Sequence, residues 1–497
     1  KWSDGVPLTA ADSVYSFQLA SDPATPVVKR TSDQVASYQA LDALTVQMVS
    51  KPGLVTDMFE KYFWTPLPQH VWGEYTAEEL LTAEVSTRTP LGWGAYVIEE
   101  WIPGEAIRLK KNLEYFRADE GLPKFDFLEF KVIGKDQNIL DMVQTGNCDI
   151  VDNSGIPYKD YGKLVEENQN GEIKLFAMES KEWEILAFGI KPASYDDGYY
   201  PYGSDRPDIF GDLRVRQAFA QCINRERILK DFLYDLPELP RAYLRSSHPL
   251  YGLVQPLSCY DPQQGIRFLE DAGWLDQDLN PATPRIAYGV ANVPDGTKLI
   301  VNYFLSDALL RKMVAEDIAN SLGQCGVQVN LETIPINDLY VSGPDGIIFG
   351  RGFDLAQLSW VIGNQPPCEL FESEEIPSKD NFWLGRDNGG GNITGYSNPV
   401  YDESCRLAHR AGMNLDLYLS SQTAEANLLV DQVPVIPLYF HPQLLVARMD
   451  LCDINLDDSA ISTFNSLEEW DLGNACSAFG WCWLTKLHCQ SVLSDIK

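Results

Sequence analysis

The stretch that most restricts the fold lies between Leu299 and Leu331. Leu299-Ile300-Val301-Asn302-Tyr303-Phe304 is rich in strand-forming residues, and Leu310, Val314, Ile318 and Leu322 then recur every four positions. Gly323 and Gly326 stop the helix so predicted, and Val327-Gln328-Val329-Asn330-Leu331 reads as a returning strand. A strand, a helix and a strand in this order form a parallel pair with a right-handed crossover, which sets the fold class as α/β. Chains of such units bind ligands in crevices beyond the carboxyl ends of their strands. The next strand, Phe353 to Trp360, therefore carries Trp360 to such an end, just before a loop rich in Gly, Asn and Pro. A large flat ring there suits ligand contact; packing beneath the loop is the alternative.

The same alternation is expected earlier. Phe127 to Val132 reads as a strand, Asp136 as the cap of a helix in which Ile139 and Val143 stack, Gly146 as its end, and Cys148 to Val151 as the next strand, together a second βαβ unit. Asp212 opens a helix carrying Leu213, Arg216 and Phe219, and Arg214, Arg216 and Arg225 read as a solvated or ion-paired face. Thr9 with Asp12 forms a variant capping box before Val14 and Phe17. Tyr96 to Trp101 and Glu105 to Leu109 flank Pro103-Gly104 as a hairpin. Periodicity fades among the prolines of 236–256, as at a crossing between domains, while 407–429 is broadly helical. Val433 to Phe440 carries two prolines, which suits an edge strand or a hinge.

At 497 residues the chain exceeds a single core, so two or three domains are expected. With 71 acidic against 39 basic residues its formal charge is −32, which disfavours nucleic acid and anionic membrane surfaces as partners. No apolar run approaches the roughly 18 residues of a membrane span. Ten cysteines show no Cys-x-x-Cys pair. Cys368 and Cys405 bracket the loop after Trp360 and could staple it in an oxidising compartment. Residues 473–497 crowd Cys476, Cys482, Cys489, Trp481 and Trp483 into an atypical tail. None of the five histidines lies in a His-Glu-x-x-His frame, no Gly-x-Ser-x-Gly elbow occurs, and Gly389-Gly390-Gly391 lacks the Lys of a phosphate cradle. So no catalytic residue, metal site or cofactor is assigned. Paired carboxylates of the glycosidase kind would arise by chance in so acidic a chain.

Several stretches together resemble the extracellular solute-binding proteins of ABC importers, of the large peptide, dipeptide and nickel type. They are Lys1-Trp2-Ser3-Asp4-Gly5 through Phe17, Gly94-Ala95-Tyr96 with Asn112 to Phe116, Val215 to Phe219 with Asn224-Arg225, Gly273-Trp274, and Pro434 to Tyr439. The resemblance runs from Lys1 to about Asp471 and implies a two-lobed periplasmic-binding-protein type II fold, with an inserted subdomain in lobe one and two hinge strands. Residues 1–124 would be that subdomain, 125–240 the core of lobe one, 241–443 lobe two and 444–472 the return to lobe one. The opening strands of lobe one, the export signal and a lipid-anchor cysteine would precede Lys1, placing the full-length protein outside the cell or in the periplasm.

The function so implied is capture of an oligopeptide, oligosaccharide or other small solute by a monomer, without a cofactor, for delivery to an ABC permease and its ATPase subunits. Trp360 would stack on the solute, Asn364 would hydrogen-bond it, and Trp183 and Glu184 would face it from the other lobe. Asn153 and Ser154 follow a strand toward the same cleft, and Arg351 is a candidate partner for a solute carboxylate. In peptide-binding relatives an aspartate pairs with the peptide amine where this chain has Gly363; its loss removes a charge-assisted bond worth roughly 1.5–3 kcal/mol and points to a neutral or unusual solute. The competing reading is an extracellular carbohydrate hydrolase working through paired carboxylates.

Overall fold

The computed structural model describes residues 1–497 except 28, 53–61, 135, 136, 204, 281, 363–365, 384–389, 412, 413, 458–461 and 474–497. Its backbone is organised by one six-stranded sheet. In chain order the strands are β1 (Ile150–Asp152), β2 (Lys174–Phe188), β3 (Ile300–Ser306), β4 (Gln328–Ile334), β5 (Leu355–Val361) and β6 (Val435–Ala447), and across the sheet they run β4-β3-β5-β2-β6-β1. β3 pairs in parallel with β4 and β5, whereas β2, β6 and β1 join by antiparallel pairing.

The central part follows from local pattern. Between β3 and β4 the helix Leu309–Gln324 buries Val314, Ile318 and Leu322 completely against the sheet, each contributing about 1.5–3 kcal/mol of transfer free energy. Gly326, at φ +79°, turns the chain into β4 with a backbone that only glycine adopts without strain. β5 continues the same core through Leu355, Ala356 and Leu358. Helices Leu213–Cys222 and Arg225–Leu233, assigned to lobe one by sequence, instead bury Val215, Phe219 and Ile228 in this same core, beside Val301 and Ile318. Their caps are Asp212, which accepts the Arg214 amide at 2.9 Å, and Asn224, which accepts that of Arg227 at 2.9 Å.

A smaller core lies at the other end of β2 and β6, where Leu444 and Val446 meet Ile139, Val143, Val151 and Leu164. On the opposite sheet face Leu445 and Ala447 pack with Leu451 and Trp470. The two long strands thus start in one core and end in the other.

Three expectations are corrected here. Phe127–Lys131 does not begin a βαβ unit: it joins the hairpin Tyr96–Ile102/Ala106–Lys111 as an antiparallel third strand, while β1 pairs antiparallel with β6. Both pairings satisfy backbone groups locally or against a long neighbour, which a period-two pattern cannot distinguish. β6 is a central strand, not an edge; its Pro437 and Pro442, which cannot donate to a ladder, sit where its register with β2 slips. Arg216 and Arg225 are buried on carbonyls instead of facing water: Arg216 donates to Phe210 O at 2.7 Å and Gln432 O at 2.9 Å, and Arg225 to Pro240 O at 2.8 Å and Pro437 O at 3.1 Å. Burial draws both guanidinium pKa values down, to about 10. Asp136, read as a helix cap, lies outside the described residues; Asn138 fills the cap of Ile139–Gln144.

Candidate functional site

The site grows out of the crossing of the two long strands. Phe440 pairs with Trp183 and Pro442 with Glu179, so Ser180, Lys181 and Glu182 together oppose His441 alone. Such a bulge bends the ladder and re-aims its side chains. Above it opens a cavity of about 520 Å³, the size of a small organic ligand, walled by Glu182, Arg311, Tyr340, Ser359, Tyr439 and His441. Ser359 belongs to the carboxyl-terminal half of β5, and Arg311 to the first turn of the helix that follows β3, so the cavity occupies the crevice position that parallel strands favour.

A buried ion pair forms its floor. Glu184, on β2, is 0% exposed and accepts Nε of Arg311 at 2.6 Å on Oε1 and Nη2 at 3.0 Å on Oε2. His441 Nε2 lies 3.0 Å from the same Oε2, and Arg311 Nη1 donates to Ser306 Oγ at 3.0 Å. Burial alone would raise the Glu184 carboxyl, but the contacts with His441 and Arg311 outweigh it and hold the acid below its ordinary range. Burial likewise opposes charge on Arg311, and Glu184 more than restores it. The pair therefore stays ionised and cancels its own charge. Two further residues of the lining carry polar groups without a partner. The hydroxyl of fully buried Tyr439 has no hydrogen-bond partner among the described residues, and the Glu182 carboxylate forms no ion pair or hydrogen bond among them. Burial, with the nearby Glu184 charge, pushes the Tyr439 phenol well above its usual pKa.

The residues singled out by sequence are distributed around this crossing. Glu184 lies beneath the cavity. Trp183 is a core residue, wholly buried, with ring centroids 5.9 Å from Tyr243 and 6.4 Å from Phe440. Its cross-strand partner is Trp360, half-buried and 6.3 Å from Phe349. Strand alternation sets Trp360 on the face opposite Ser359, which lines the cavity. Asn153 and Ser154 follow β1 at the smaller core: Asn153 Oδ1 accepts the Leu444 amide at 3.1 Å, and Ser154 Oγ donates to Asp152 at 2.6 Å.

Arg351, 2% exposed, spends its guanidinium on Pro377 O at 2.9 Å, Lys191 O at 2.6 Å and the Asp196 carboxylate. That leaves it buried away from the cavity lining, held by its own chain. Gly363 and Asn364 lie outside the described residues. Cys368 and Cys405 form a disulfide, and a second bridge, Cys222–Cys325, links the helix Leu213–Cys222 to the end of the helix after β3.

Sequence reasoning passed over Glu182, Arg311, Ser359, Tyr439 and His441. One signal was present: Arg311 falls in register with Ala315, Ile318 and Leu322 on the apolar helix face, where an unpaired cation would not be tolerated.

Two α/β cores bridged by a pair of long strands, with a cavity where those strands cross, define a two-lobed, hinged binding-protein fold. The comparisons with known proteins agree. Residues 1–379 match the family model described as bacterial extracellular solute-binding proteins, family 5 Middle, and the chain belongs to that family. It is similar to the oligopeptide-binding protein AppA of Bacillus subtilis, at 22% identity over 402 residues, covering 77% of this chain and 65% of AppA. The periplasmic oligopeptide-binding protein OppA of Salmonella typhimurium is 21% identical, with 89% of this chain and 75% of OppA covered. Among solved structures, NikZ of Campylobacter jejuni in complex with Ni(L-His) shares the fold, with TM-score 0.63, 20% identity, and coverage of 94% of this chain and 85% of NikZ.

Proposed function

We propose that this chain is the solute-receiving component of an ABC importer: it takes up a peptide-like or other oligomeric solute where its lobes meet, closes over it, and delivers it to a membrane permease driven by ATPase subunits. The observation that carries this reading is the cavity at the crossing of β2 and β6, since a solute seated there would lie against the hinge about which the lobes turn. In this reading the larger lobe spans about 183–440, the smaller lobe gathers 125–179 with 442–472, and 1–124 is its inserted subdomain. The full-length protein would act outside the cell or in the periplasm, held there by a lipid anchor, as a monomer and without turnover.

Ligand-binding energy in such a receptor drives closure instead of bond breaking. The floor of the cavity supports this over hydrolysis: Glu184 is held ionised by Arg311 and His441, which deprives it of the proton a general acid must give. The test is to purify the protein from its native source, denature it, and identify the released solute by mass spectrometry. That solute should then rebind the refolded chain with a change in tryptophan fluorescence and should be recovered intact. Sustained product formation from peptides or oligosaccharides would overturn the proposal.

A further inference from the structure

We infer that the structure holds a second, redox-gated site: when the Cys368–Cys405 bridge is reduced, its two thiolates and the carboxylate of Glu425 bind a thiophilic divalent cation, Zn²⁺ above all, in place of the disulfide. Three separate elements bring the ligands together. Cys368 opens the short turn Cys368–Leu370, Cys405 lies on the helix Pro399–Arg410 and Glu425 on the helix Leu415–Gln432. Both sulfurs and a carboxylate oxygen fall within 4.8 Å of one another, and the three residues are 4%, 0% and 1% exposed. Glu425 Oε2 is 3.1 Å from Cys368 Sγ, while Oε1 has no hydrogen-bond partner among the described residues.

The disulfide alone does not account for the acid. A bridged sulfur has no proton to donate and accepts weakly, so it offsets little of what burying a carboxyl costs. The charges that bear on Glu425, those of Glu372 and Glu369, share its sign. A divalent cation supplies the missing opposite charge, and two sulfur ligands with one oxygen select zinc over magnesium or calcium. The geometry allows it: the cysteine Cα atoms are 5.9 Å apart, and the freed sulfurs have only to rotate to about 3.8 Å, the edge of a tetrahedron with Zn–S bonds of about 2.3 Å. Water takes the fourth position. A dithiol drives the switch: it gives two electrons and two protons to the S–S bond, which opens to two thiols, and itself closes to a disulfide. Zinc then displaces both thiol protons and the carboxyl proton. The loop 368–405 is thus stapled by its own disulfide under oxidant and by metal without it.

The test uses the full chain, unfolded in urea with a dithiol, freed of it, and refolded without oxygen in Co²⁺, whose thiolate complexes absorb in the visible. The parent should take up one more equivalent than Cys368→Ser/Cys405→Ser, and Glu425→Gln should weaken that equivalent about tenfold or more, since even an outer partner of a metal ligand is worth as much. Zn²⁺ should displace the cobalt, and closing the bridge with a disulfide oxidant should release it. The remaining cysteines are common to all variants, so their uptake cancels, and circular dichroism checks that each variant is folded. Glu425→Gln keeps both thiols, and it decides alone if the serine pair does not refold. Equal uptake by parent and serine pair, unchanged affinity in Glu425→Gln, cobalt that neither Zn²⁺ nor the oxidant removes, or a reduced parent that will not refold with Zn²⁺ overturns the inference.

Discussion

Glu425 is an acid that this fold keeps protonated. It lies on the helix Leu415–Gln432, 1% exposed, with Oε2 3.1 Å from Cys368 Sγ and Oε1 without a partner among the described residues. Burial, reinforced by the charges of Glu372 and Glu369, pushes its pKa up to about 8. A raised folded pKa means stability that is fully present below the unfolded value near 4.5 and is lost as pH climbs toward 8. Thermal melts at pH 5, 6.5 and 8 should show the parent losing stability with pH, and Glu425→Gln should remove a component on the order of a few kcal/mol from that loss. A parallel pH profile in the variant would refute the assignment. Arg311→Met makes a second case. It strands the buried charge of Glu184 and should cost about 3–5 kcal/mol in urea unfolding, with much of it recovered in the double variant Arg311→Met/Glu184→Gln, where no full charge is left to desolvate.

At the scale of elements, the loop between Cys368 and Cys405 is held by a bridge of sequence separation 37. Chain-entropy reasoning gives such a loop about 3–4 kcal/mol. Replacing both cysteines by serine should lower the urea midpoint accordingly, and an unchanged midpoint would show that Pro366, Pro367 and the packing of Leu370 and Phe371 already hold it.

This scale also explains what the sequence could reveal. The helix between β3 and β4 was legible because its apolar period and glycine stops are written within a few turns. The placement of Phe127–Lys131 and β1 was not, because a strand's partner is chosen by the whole sheet. The prolines of β6 suggested an edge or a hinge; a central strand that bulges at Pro442 reconciles them with burial. For the site, Gly363 suggested a solute without a cationic amine, since the carboxylate of relatives is absent there. Glu182 reaches the cavity from another strand, and no spacing rule links positions 182, 311, 359, 439 and 441.

For the whole molecule, a formal charge of −32 favours solubility and opposes compactness. Raising sodium chloride from about 20 mM to 500 mM shortens the screening length several-fold. It should raise the melting temperature by a few degrees, readable by circular dichroism. A fall in melting temperature would show that specific ion pairs, such as Arg117 with Glu468 and Glu469, outweigh general repulsion.

The pairing of β2 with β6 also sets a timetable. Lys174 finds its partner in Ala447 and Ala187 in Val435, so the shared sheet stays open at its middle until about 250 further residues, through Ala447, have been made. The βαβ unit of β3 and β4 closes from local contacts and can form early, but β2 must wait with its inner edge exposed. A long, apolar, unpaired strand is the kind of surface that chaperones cover and that aggregates when they do not. The pair of strands that joins the two cores is therefore also a late seam to be sewn, and slow refolding should be traced there first.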